Sequence, residues 1–460
     1  MIEIVAIDTP SLGDRGYLVT DGTVAVVIDA QRDFDRVLAQ ATSRGVTITH
    51  VFETHIHNDY VTGGLALARA VGASYHVNAA DPVSFDRTPV TDSDVIDVGA
   101  MRLRVIGTPG HTFTHLSYAL ADHGTTIAVF TGGSLLNGST GRTDLLGPQH
   151  SIKLAHAQYG SARRLAGELP DEAEVCPTHG FGSFCSATQA AGAPSTIGAE
   201  KRANPALTLD EEQYVETMLA GLDVYPAYYA HMGPANSAGP PAADLSPPRR
   251  AEPVELRRRI DAGEWVVDLR SRVAFAAGHL RGSLHFELGD NLATYLGWLI
   301  PWDSPLTLIG QTPADVAAAQ RELARIGIDK LAAAATGSPR QWAGDEPLAA
   351  FPIADFASFA AARSRRQLVL LDVRRRQEWS ASHVEEVVHI PLHELTGRIG
   401  ELPDGEIWVH CGAGYRASVA ASLLDAAGRD VVLIDDDFGR ARLSGLTGPG
   451  NQIGQDGLSA

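Results

Sequence analysis

The sequence predicts an α/β protein built from more than one domain. Three observations lead to this prediction. The 460 residues are about three times the length of a typical domain, two stretches of the C-terminal half repeat each other, and short apolar strands alternate with helical segments. Apolar residues make up 44% and charged residues 20% of the chain, a composition typical of proteins that bury cores. Disorder throughout the chain is therefore excluded.

The charge balance limits the classes of partner. The 37 Lys and Arg residues against 55 Asp and Glu residues give a net charge of -18, which repels phosphate backbones and anionic lipids. The longest uncharged apolar stretch, Leu292–Trp302, is about half of a bilayer span, and the N-terminus shows no secretory signal. We therefore expect a cytoplasmic protein that binds no nucleic acid and no membrane. Three cysteines cannot form a disulfide framework in a chain of this length.

Two breaks divide the chain into three blocks. Residues 233–253 contain six prolines without hydrophobic periodicity, which is typical of a semi-stiff linker, and residues 336–352 contain three more. The predicted division is a first domain at 1–235, a linker at 236–251, further domains at 252–335 and 352–445, and a flexible tail at 446–460.

An internal repeat relates the second block to the third. Val266–Leu288 aligns without gaps with Leu370–Leu392. Each copy has a helical segment followed by a short apolar strand that ends in Asp-x-Arg, so both blocks are predicted to be parallel-sheet α/β domains. The alignment pairs Asp268 with Asp372, Arg270 with Arg374, His279 with His383 and His285 with His389.

The first block predicts a different arrangement of strands and helices. Short β-rich runs are separated by turn residues, and helices are predicted near Phe34–Arg44 and Gly63–Val71. This pattern favours mixed strands with helices packed outside them. The runs are Tyr17–Val19, Val24–Ile28, Met101–Ile106, Leu116–Leu120 and Thr126–Phe130.

The first block also carries residues that bind metals, in loops at strand ends. His55, His57 and Asp59 follow a predicted strand, His111 follows a rigid Gly-Thr-Pro-Gly turn, and His179 follows Cys-Pro-Thr. Imidazole and carboxylate together suit Zn(II) or non-heme Fe(II). A single histidine is most often a surface or packed residue, but this joint occurrence favours a metal site.

These motifs resemble the metallo-β-lactamase superfamily, whose H-x-H-x-D-H, G-H, G-D and H motifs appear in this order across residues 55–179. The resemblance implies an αββα sandwich in which His55, His57 and His111 form one metal site, and Asp59 and His179 contribute to a second. The stretches Gly107–Tyr118, Gly141–Asp144 and Ser195–Pro205 are similar to the persulfide dioxygenases. That similarity implies iron held by two His and one Asp, with a thiol persulfide as substrate and Arg142 as a substrate-binding residue.

Two positions depart from the family pattern. Tyr60 replaces the last histidine of H-x-H-x-D-H, which favours a single metal ion, and Gly133 replaces the metal-binding aspartate of Phe-Thr-Gly-Asp. We expect Gly133→Asp to raise iron binding by completing two histidines and one carboxylate. Three outcomes stay open for the natural chain: one Fe(II) or Zn(II) ion held by His55, His57 and His111, an ion recruited with Asp59 or Asp144, or no bound metal.

The third block contains a cysteine in an anion-binding loop. The predicted strand Glu406–His410 leads into Cys411–Arg416, immediately before a helix. Gly412 and Gly414 let backbone N–H groups turn inward, the helix N-terminus adds positive potential, and Arg416 closes the loop. Such donors stabilise a thiolate or a persulfide.

With Asp372-Val373-Arg374, Glu378-Trp379 and His383 upstream, the third block resembles the rhodanese sulfurtransferases, although cysteine phosphatases share the loop alone. The resemblance implies that Cys411 accepts a sulfane sulfur and passes it on, whereas Asp372 and His383 are structural. The second block resembles the same family, but its strand Leu306–Ile309 leads into Gly310-Gln311-Thr312 without a cysteine. A structural role is therefore predicted for that block.

The predicted function is an enzyme that acts on low-molecular-weight thiol persulfides or thiosulfate. A zinc-dependent hydrolase of thioesters or esters is an open alternative, because metal-bound hydroxide attacks such substrates at neutral pH. A sulfur carrier with an inactive first domain is another. Cys176 and Cys185 are interpreted as ordinary buried thiols, and the sequence leaves a homodimer open.

Overall fold

The computed structural model describes residues 1–187, 194–365 and 367–447. The chain folds into two compact units. Unit 1 contains Met1–Leu245 and Arg321–Asp329, and unit 2 contains Ser246–Gln320 and the chain from Lys330 onward. No helix in the described part is long and apolar enough to cross a membrane. The tail predicted at 446–460 lies outside the described residues from position 448 onward.

Unit 1 contains two six-stranded sheets. The strands of sheet 1 are neighbours in chain order: Glu3–Thr9 (β1), Asp14–Thr20 (β2), Val24–Ile28 (β3), Thr47–Phe52 (β4), Ser74–Asn78 (β5) and Thr88–Val90 (β6). Sheet 2 has the order β12-β11-β10-β9-β8-β7, with strands Val95–Val98 (β7), Met101–Gly107 (β8), Leu116–Asp122 (β9), Thr125–Gly132 (β10), Glu174–Pro177 (β11) and Ser195–Thr196 (β12).

Seven helices lie among residues 1–245 in the described part of the chain. The two helices predicted at Phe34–Arg44 and Gly63–Val71 are present, and each ends at a glycine in the left-handed conformation, Gly45 or Gly72. The helices are Asp35–Arg44 (α1), Gly64–Val71 (α2), Ser151–Glu168 (α3), Ile197–Ala203 (α4), Pro205–Thr208 (α5), Glu211–Gly221 (α6) and Tyr229–Ala238 (α7).

The central strand β3 shows how the layers pack. Val26 and Ile28 belong to the core between the two sheets, whereas Ala25 and Val27 belong to a core that includes α1 and α2. Because successive side chains of a strand point to opposite faces, a strand covered on both faces is apolar throughout. Sheet 2 packs against α3 and α6 through a third core. The predicted αββα sandwich is confirmed.

Unit 2 contains two parallel sheets. Their strand orders are β14-β13-β15-β16 and β17-β21-β20-β18-β19. The strands are Trp265–Asp268 (β13), Leu284–His285 (β14), Leu306–Gly310 (β15), Leu331–Thr336 (β16), Ile353–Ala354 (β17), Val369–Asp372 (β18), Val388–His389 (β19), Ile407–His410 (β20) and Val431–Ile434 (β21).

Ten helices lie between residues 246 and 447 in the described part of the chain. They are Pro253–Asp261 (α8), Arg272–Ala277 (α9), Leu292–Leu299 (α10), Pro313–Arg325 (α11), Pro339–Ala343 (α12), Phe356–Arg363 (α13), Arg376–Ala381 (α14), Leu392–Arg398 (α15), Tyr415–Ala426 (α16) and Phe438–Leu443 (α17). The alternation of short parallel strands and helices agrees with the predicted fold class of both repeats.

The internal repeat makes the same hydrogen bonds in both copies. The arginine of Asp-x-Arg donates to its aspartate with a closest distance of 2.6 Å in each copy. The second histidine places Nε2 2.9 Å from the carbonyl oxygen of that arginine. The first histidine places Nδ1 2.9 or 3.0 Å from the carbonyl oxygen four residues earlier. The residues are Asp268, Arg270, His279 and His285 in one copy and Asp372, Arg374, His383 and His389 in the other.

Two proline-rich stretches contain more helix than the sequence analysis expected. The linker predicted at 236–251 begins inside α7, and the break at 336–352 contains α12. Ser338 caps α12, and Pro339 is its first residue, where a proline needs no N–H donor. The break at 336–352 therefore includes the start of a helix.

Candidate metal centre and candidate sulfur-transfer site

The predicted metal-binding residues of unit 1 lie in loops that follow strands of both sheets. His55, His57 and Asp59 follow β4, His111 follows β8, and His179 follows β11. All five residues are buried, with at most 2% of their surface exposed. The fold therefore brings distant parts of the sequence to one buried place, as the motif order predicts.

Three imidazoles meet in this place. One nitrogen from each of His55, His111 and His179 lies within 4.8 Å of the other two, and the Nε2 atoms of His55 and His179 are 3.4 Å apart. Ligand atoms of His57, Asp59 and His179 form a second group within the same limit. The third imidazole grouped with His55 and His111 is therefore that of His179, whereas the predicted third residue was His57.

Each of the three grouped imidazoles faces an oxygen acceptor with Nδ1. An acceptor requires the imidazole proton on Nδ1, which leaves the lone pair of the neutral ring on Nε2. His111 Nε2 has no hydrogen-bond partner among the described residues. The acceptors are Thr54 Oγ1 for His55 (2.9 Å), the Arg142 carbonyl for His111 (2.7 Å) and Asp14 for His179 (2.9 Å). Asp59 forms an ion pair with His179 Nδ1 at 3.1 Å.

His57 is oriented differently. Its Nε2 lies 3.0 Å from the Tyr60 hydroxyl, 3.2 Å from Glu53 and 3.3 Å from Asp29. Burial opposes the charged form of His57, but the two carboxylates outweigh this effect and raise its pKa to about 9. Tyr60, at the position of a metal-binding histidine in the family pattern, is therefore a partner of this imidazole.

A pair of carboxylates holds His179. Burial and repulsion by Asp59 raise the pKa of Asp14 to about 7. Burial opposes the charge on His179, but Asp59 and Asp14 raise the pKa of this imidazole well above its usual value. Burial also disfavours the ionised form of Asp59, yet the charge of His179 lowers the pKa of that carboxyl. Asp14 lies on β2 and was absent from the predicted site, because no motif marks it.

Asp29 connects two of the histidine loops, because it bonds the residues that precede His55 and His179. It accepts hydrogen bonds from the backbone N–H of Thr54 (2.8 Å), from the Thr54 hydroxyl (2.7 Å) and from the Thr178 hydroxyl. Its φ of 52° is uncommon for a residue other than glycine, and such strain persists where the surroundings fix it. Asp29 was absent from the predicted site, although its place directly after the apolar strand Val24–Ile28 was a usable signal.

Gly133 packs directly against His111. A Cβ atom added at Gly133 would lie 2.6 Å from His111 Cγ and 2.9 Å from Nε2, so the ring fills the space that a side chain would need. The Gly133 N–H donates to His115 Nε2 at 3.0 Å, and its carbonyl accepts from the Gly141 N–H at 2.9 Å. A side chain at position 133 would therefore require the His111 ring to shift, and the expectation that Gly133→Asp completes the ligand set stays a prediction.

Arg142 has its guanidinium group engaged inside the fold. The residue is 2% exposed, and it donates to Asp144 at 2.7 and 2.8 Å and to the carbonyls of Phe184 and Asp223. These contacts favour a structural role over the predicted substrate-binding role. They also occupy Asp144, the alternative recruited ligand of the sequence analysis.

The segment Ser195–Pro205 holds the loop beside His111. Glu200 accepts from the Gly138 N–H at 2.9 Å and from Asn204 Nδ2 at 2.8 Å. Asn204 Nδ2 also donates to the carbonyls of Leu136 and Ser139 at 3.2 and 2.8 Å. Both side chains are buried, so this segment fixes the loop that contains Gly133.

Cys411 of unit 2 lies between β20 and α16, as predicted, and is 2% exposed. Gly414 has a φ of 89°, and a Cβ atom added there would overlap the Asp435 carboxylate, so this position requires glycine. The Phe438 N–H donates to the Gly412 carbonyl at 2.9 Å. The cysteine loop is therefore held by α17 as well as by the helix that it precedes.

Arg416 lies over the cysteine loop but is paired with a carboxylate. It donates two hydrogen bonds to Glu378, at 2.6 and 2.7 Å. Burial disfavours ionised Glu378, but the hydrogen bond and charge of Arg416 lower the pKa of this carboxyl to about 2. In the sequence, Glu378 only supports the resemblance to the rhodanese family. The structure shows that its carboxylate pairs with Arg416.

A small pocket beside this loop is lined by both repeats. The copy without a cysteine contributes Tyr295 and Trp298, and the other copy contributes Arg375, His393 and Arg416. The rings of Trp298 and His393 stack with centroids 5.0 Å apart. The copy without a cysteine is therefore part of the pocket wall.

Comparison with known proteins agrees with both halves of this description. The model of the rhodanese-like domain family matches residues 252–345 and 356–439. The mitochondrial persulfide dioxygenase ETHE1 of Bos taurus is 30% identical over 213 residues, 45% of this chain and 74% of that protein. A hydroxyacylglutathione hydrolase of Maricaulis maris is also 30% identical, over 235 residues, 46% of this chain and 89% of that protein.

A solved structure extends the similarity beyond unit 1. It is a metallo-β-lactamase from Staphylococcus aureus subsp. aureus COL, 27% identical, with a TM-score of 0.65, and the match covers 74% of this chain and 99% of that one. The αββα sandwich with its ordered histidines places this chain in the metallo-β-lactamase superfamily. The chain belongs to that superfamily and carries two rhodanese-like domains fused to its metallo-β-lactamase-like unit.

Proposed function

We propose that this chain is an enzyme of sulfur metabolism that oxidises low-molecular-weight thiol persulfides at a metal in unit 1 and transfers sulfane sulfur at Cys411. The observation that carries the proposal is the presence, on one chain, of a buried histidine cluster and a cysteine in an anion-binding loop. Joining two activities that share a substrate raises its effective concentration at both sites.

The histidine cluster fits a divalent metal ion. Buried imidazole nitrogens without hydrogen-bond partners, such as His111 Nε2 and His57 Nδ1, are costly unless a ligand satisfies them. The imidazoles of His55, His111 and His179 would hold the ion, with His57 and Asp59 beside them. A bound Fe(II) would activate O2, whereas a bound Zn(II) would acidify water. The protein's own contribution is to orient the imidazoles and to keep water away from the site.

Sulfur transfer at Cys411 needs no metal. The Cys411 thiolate attacks the outer sulfur of a persulfide or thiosulfate, an S–S bond forms on the enzyme, and the donor's S–S bond breaks to release a thiolate or sulfite. The backbone N–H groups of the loop and the N-terminus of α16 stabilise the sulfur anion. An acceptor thiolate or cyanide then takes the outer sulfur and restores the Cys411 thiolate.

Two assays on the full chain test the proposal. We expect O2 uptake with glutathione persulfide and, separately, sulfur transfer from thiosulfate to cyanide. His111→Ala should abolish O2 uptake and leave the transfer, and Cys411→Ser should abolish the transfer and leave O2 uptake. If one variant abolished both reactions, or if the natural chain performed neither, the assignment of the two sites would be refuted.

A zinc-dependent hydrolase is the second candidate for unit 1. The chain is as similar to a hydroxyacylglutathione hydrolase as to a persulfide dioxygenase, at 30% identity in both cases. Elemental analysis of the purified chain separates the two: stoichiometric zinc with cleavage of a glutathione thioester would place hydrolysis first, and stoichiometric iron with O2 uptake would place oxidation first.

A further inference from the structure

We propose that unit 1 binds one divalent metal ion through the three imidazoles of His55, His111 and His179, and that Gly133 is the residue that makes room for this set. On this view the chain has not lost a ligand at position 133. It uses a different ligand set, in which His179 supplies the third donor. The inference rests on the metal-dependent half of the proposed function and specifies the site itself.

The nitrogens of the three imidazoles converge on one point. One nitrogen from each of His55, His111 and His179 lies within 4.8 Å of the other two. Three donors each about 2.0–2.1 Å from a zinc ion, in tetrahedral directions, are separated by less than this limit. The 3.4 Å contact between His55 Nε2 and His179 Nε2 is of the size expected for two nitrogens that share an ion.

The three imidazole rings are also oriented as metal ligands are. Metal-binding histidines typically donate their other ring N–H to a carboxylate, a carbonyl or another oxygen, which fixes the ring and its tautomer. His55, His111 and His179 each have such an acceptor at Nδ1, within 2.9 Å. His57 instead directs Nε2 at Glu53, Asp29 and Tyr60, and it is absent from the group that contains His55 and His111 among the described residues.

Two glycines form the slot that holds the His111 ring. Gly133 and Gly141 both lie against the ring: an added Cβ atom would lie 2.6 Å from His111 Cγ at Gly133, and 2.7 Å from His111 Nδ1 at Gly141. The backbone of Gly133 cannot yield easily, because its N–H is bonded to His115 and its carbonyl accepts from the Gly141 N–H and from Gln158 Nε2. A side chain at 133 would therefore displace His111 and remove a ligand.

Metal titration of the full chain tests this inference without any substrate. The protein is stripped of metal and titrated with Zn(II) by calorimetry, and bound metal is counted by elemental analysis. We expect one ion per chain. His55→Ala, His111→Ala and His179→Ala should each weaken binding at least about a hundredfold, since loss of a ligand costs no less than loss of a residue that orients one.

Four further variants decide between the ligand sets. His57→Gln should keep one ion per chain, with affinity changed less than about tenfold, and His50→Ala, which removes a half-buried imidazole outside the cluster, should behave like the natural chain. Gly133→Ala and Gly133→Asp should both weaken binding, because the obstacle is the Cβ atom and not the charge. Thermal unfolding of the metal-free variants checks that each one folds.

Some outcomes would overturn the inference. These are tighter metal binding by Gly133→Asp, retention of the ion by His179→Ala, loss of the ion from His57→Gln, or no binding by the natural chain. Failure of the proposed function would look different, because a chain that binds one ion through the three named histidines but consumes no persulfide refutes that function and leaves the ligand set standing.

Discussion

Arg416 and Glu378 are joined by two hydrogen bonds, of 2.6 and 2.7 Å, across the loop that carries Cys411. Parallel hydrogen bonds from a guanidinium to a carboxylate fix the geometry of both groups. The position of Arg416 in the sequence predicts that it stabilises a sulfur anion. In the structure its charge is already compensated by Glu378, and the two residues form one unit that closes the loop.

We predict that Arg416 and Glu378 act on sulfur transfer as one unit. Arg416→Ala should slow transfer roughly ten- to a hundredfold, because a hydrogen bond to a charged group contributes about 1.5–3 kcal/mol. Glu378→Gln should slow transfer too, and the double variant should be no slower than the worse single variant, as expected for coupled neighbours. Steady-state rates with thiosulfate and cyanide measure this. Strictly multiplicative effects would show that Arg416 acts independently.

Arg376→Ala is the matched control for this pair. Arg376 forms an ion pair with Glu394 in the same domain, but its side chain is 64% exposed. Exposed ion pairs contribute little, about 0–1 kcal/mol. The rate of transfer should therefore be unchanged in this variant.

We predict that Cys411 is the sole sulfur acceptor. Cys176 and Cys185 are also buried, but burial raises the pKa of each of these two thiols, which disfavours the nucleophilic thiolate. Cys411→Ser should reduce transfer to less than a few per cent, while Cys176→Ser and Cys185→Ser should retain it. Mass spectrometry after incubation with thiosulfate should find one additional sulfur atom only on chains that contain Cys411.

The repeat without a cysteine should influence the substrate affinity of the other repeat. Trp298 lines the pocket beside the cysteine loop and stacks on His393. Trp298→Ala should raise the KM for the sulfur donor several-fold with a smaller change in kcat, because it removes a wall of the pocket and no group of the loop. Val273→Ala, an exposed residue of the same repeat, is the control. An unchanged KM would mean that the donor does not use this pocket.

Much of the fold could be predicted because the informative residues are close together in the sequence. Val24–Ile28 and Ile407–His410 are short apolar runs between turn residues, and both are strands. The Asp-x-Arg pairs of the repeat are two residues apart, and their hydrogen bonds are identical in both copies. Local patterns of this kind report local structure directly.

The remainder of the site depends on contacts between distant segments. Asp14 and His179 are 165 residues apart in the chain, and neither neighbourhood signals the other. Arg142 looks like a binding residue in the sequence, yet its partners at Phe184 and Asp223 are supplied by the fold. Gly133 looks like a missing ligand in the sequence, and only the fold shows that the His111 ring packs against it.

We predict that Asn204 stabilises the loop around Gly133. Its amide donates to the carbonyls of Leu136 and Ser139 and to Glu200, and its side-chain carbonyl accepts from the Ala206 N–H. Asn204→Ala leaves several buried groups without partners, at about 1–3 kcal/mol each. Urea denaturation should show at least about 2 kcal/mol of lost stability in unit 1.

Asp210→Asn is the control for Asn204→Ala. It alters a polar residue of the same region whose exposed side chain caps α6, and it should have a small effect because asparagine also caps helices. Equal stability of Asn204→Ala and the natural chain would contradict a supporting role for this segment.

The last prediction concerns the acid stability of unit 2. The pKa of Glu378 falls from 4.5 to about 2 because Arg416 outweighs the effect of burial. A carboxyl whose pKa is depressed in the folded state binds fewer protons there than in the unfolded chain, so its stabilising contribution is complete above pH 4.5 and is lost as the pH falls towards 2. The loss is at most about 3.5 kcal/mol, from about 1.4 kcal/mol per pH unit, and solvent screening reduces it further. Urea denaturation between pH 6 and pH 2.5 should show the natural chain losing more stability than Glu378→Gln, which has no titrating group at this position.

Glu385→Gln is the control, because it alters an exposed glutamate of the same domain. Its stability should change with pH as that of the natural chain does. Parallel curves of stability against pH for all three proteins would show that the pair of Glu378 and Arg416 does not stabilise the fold.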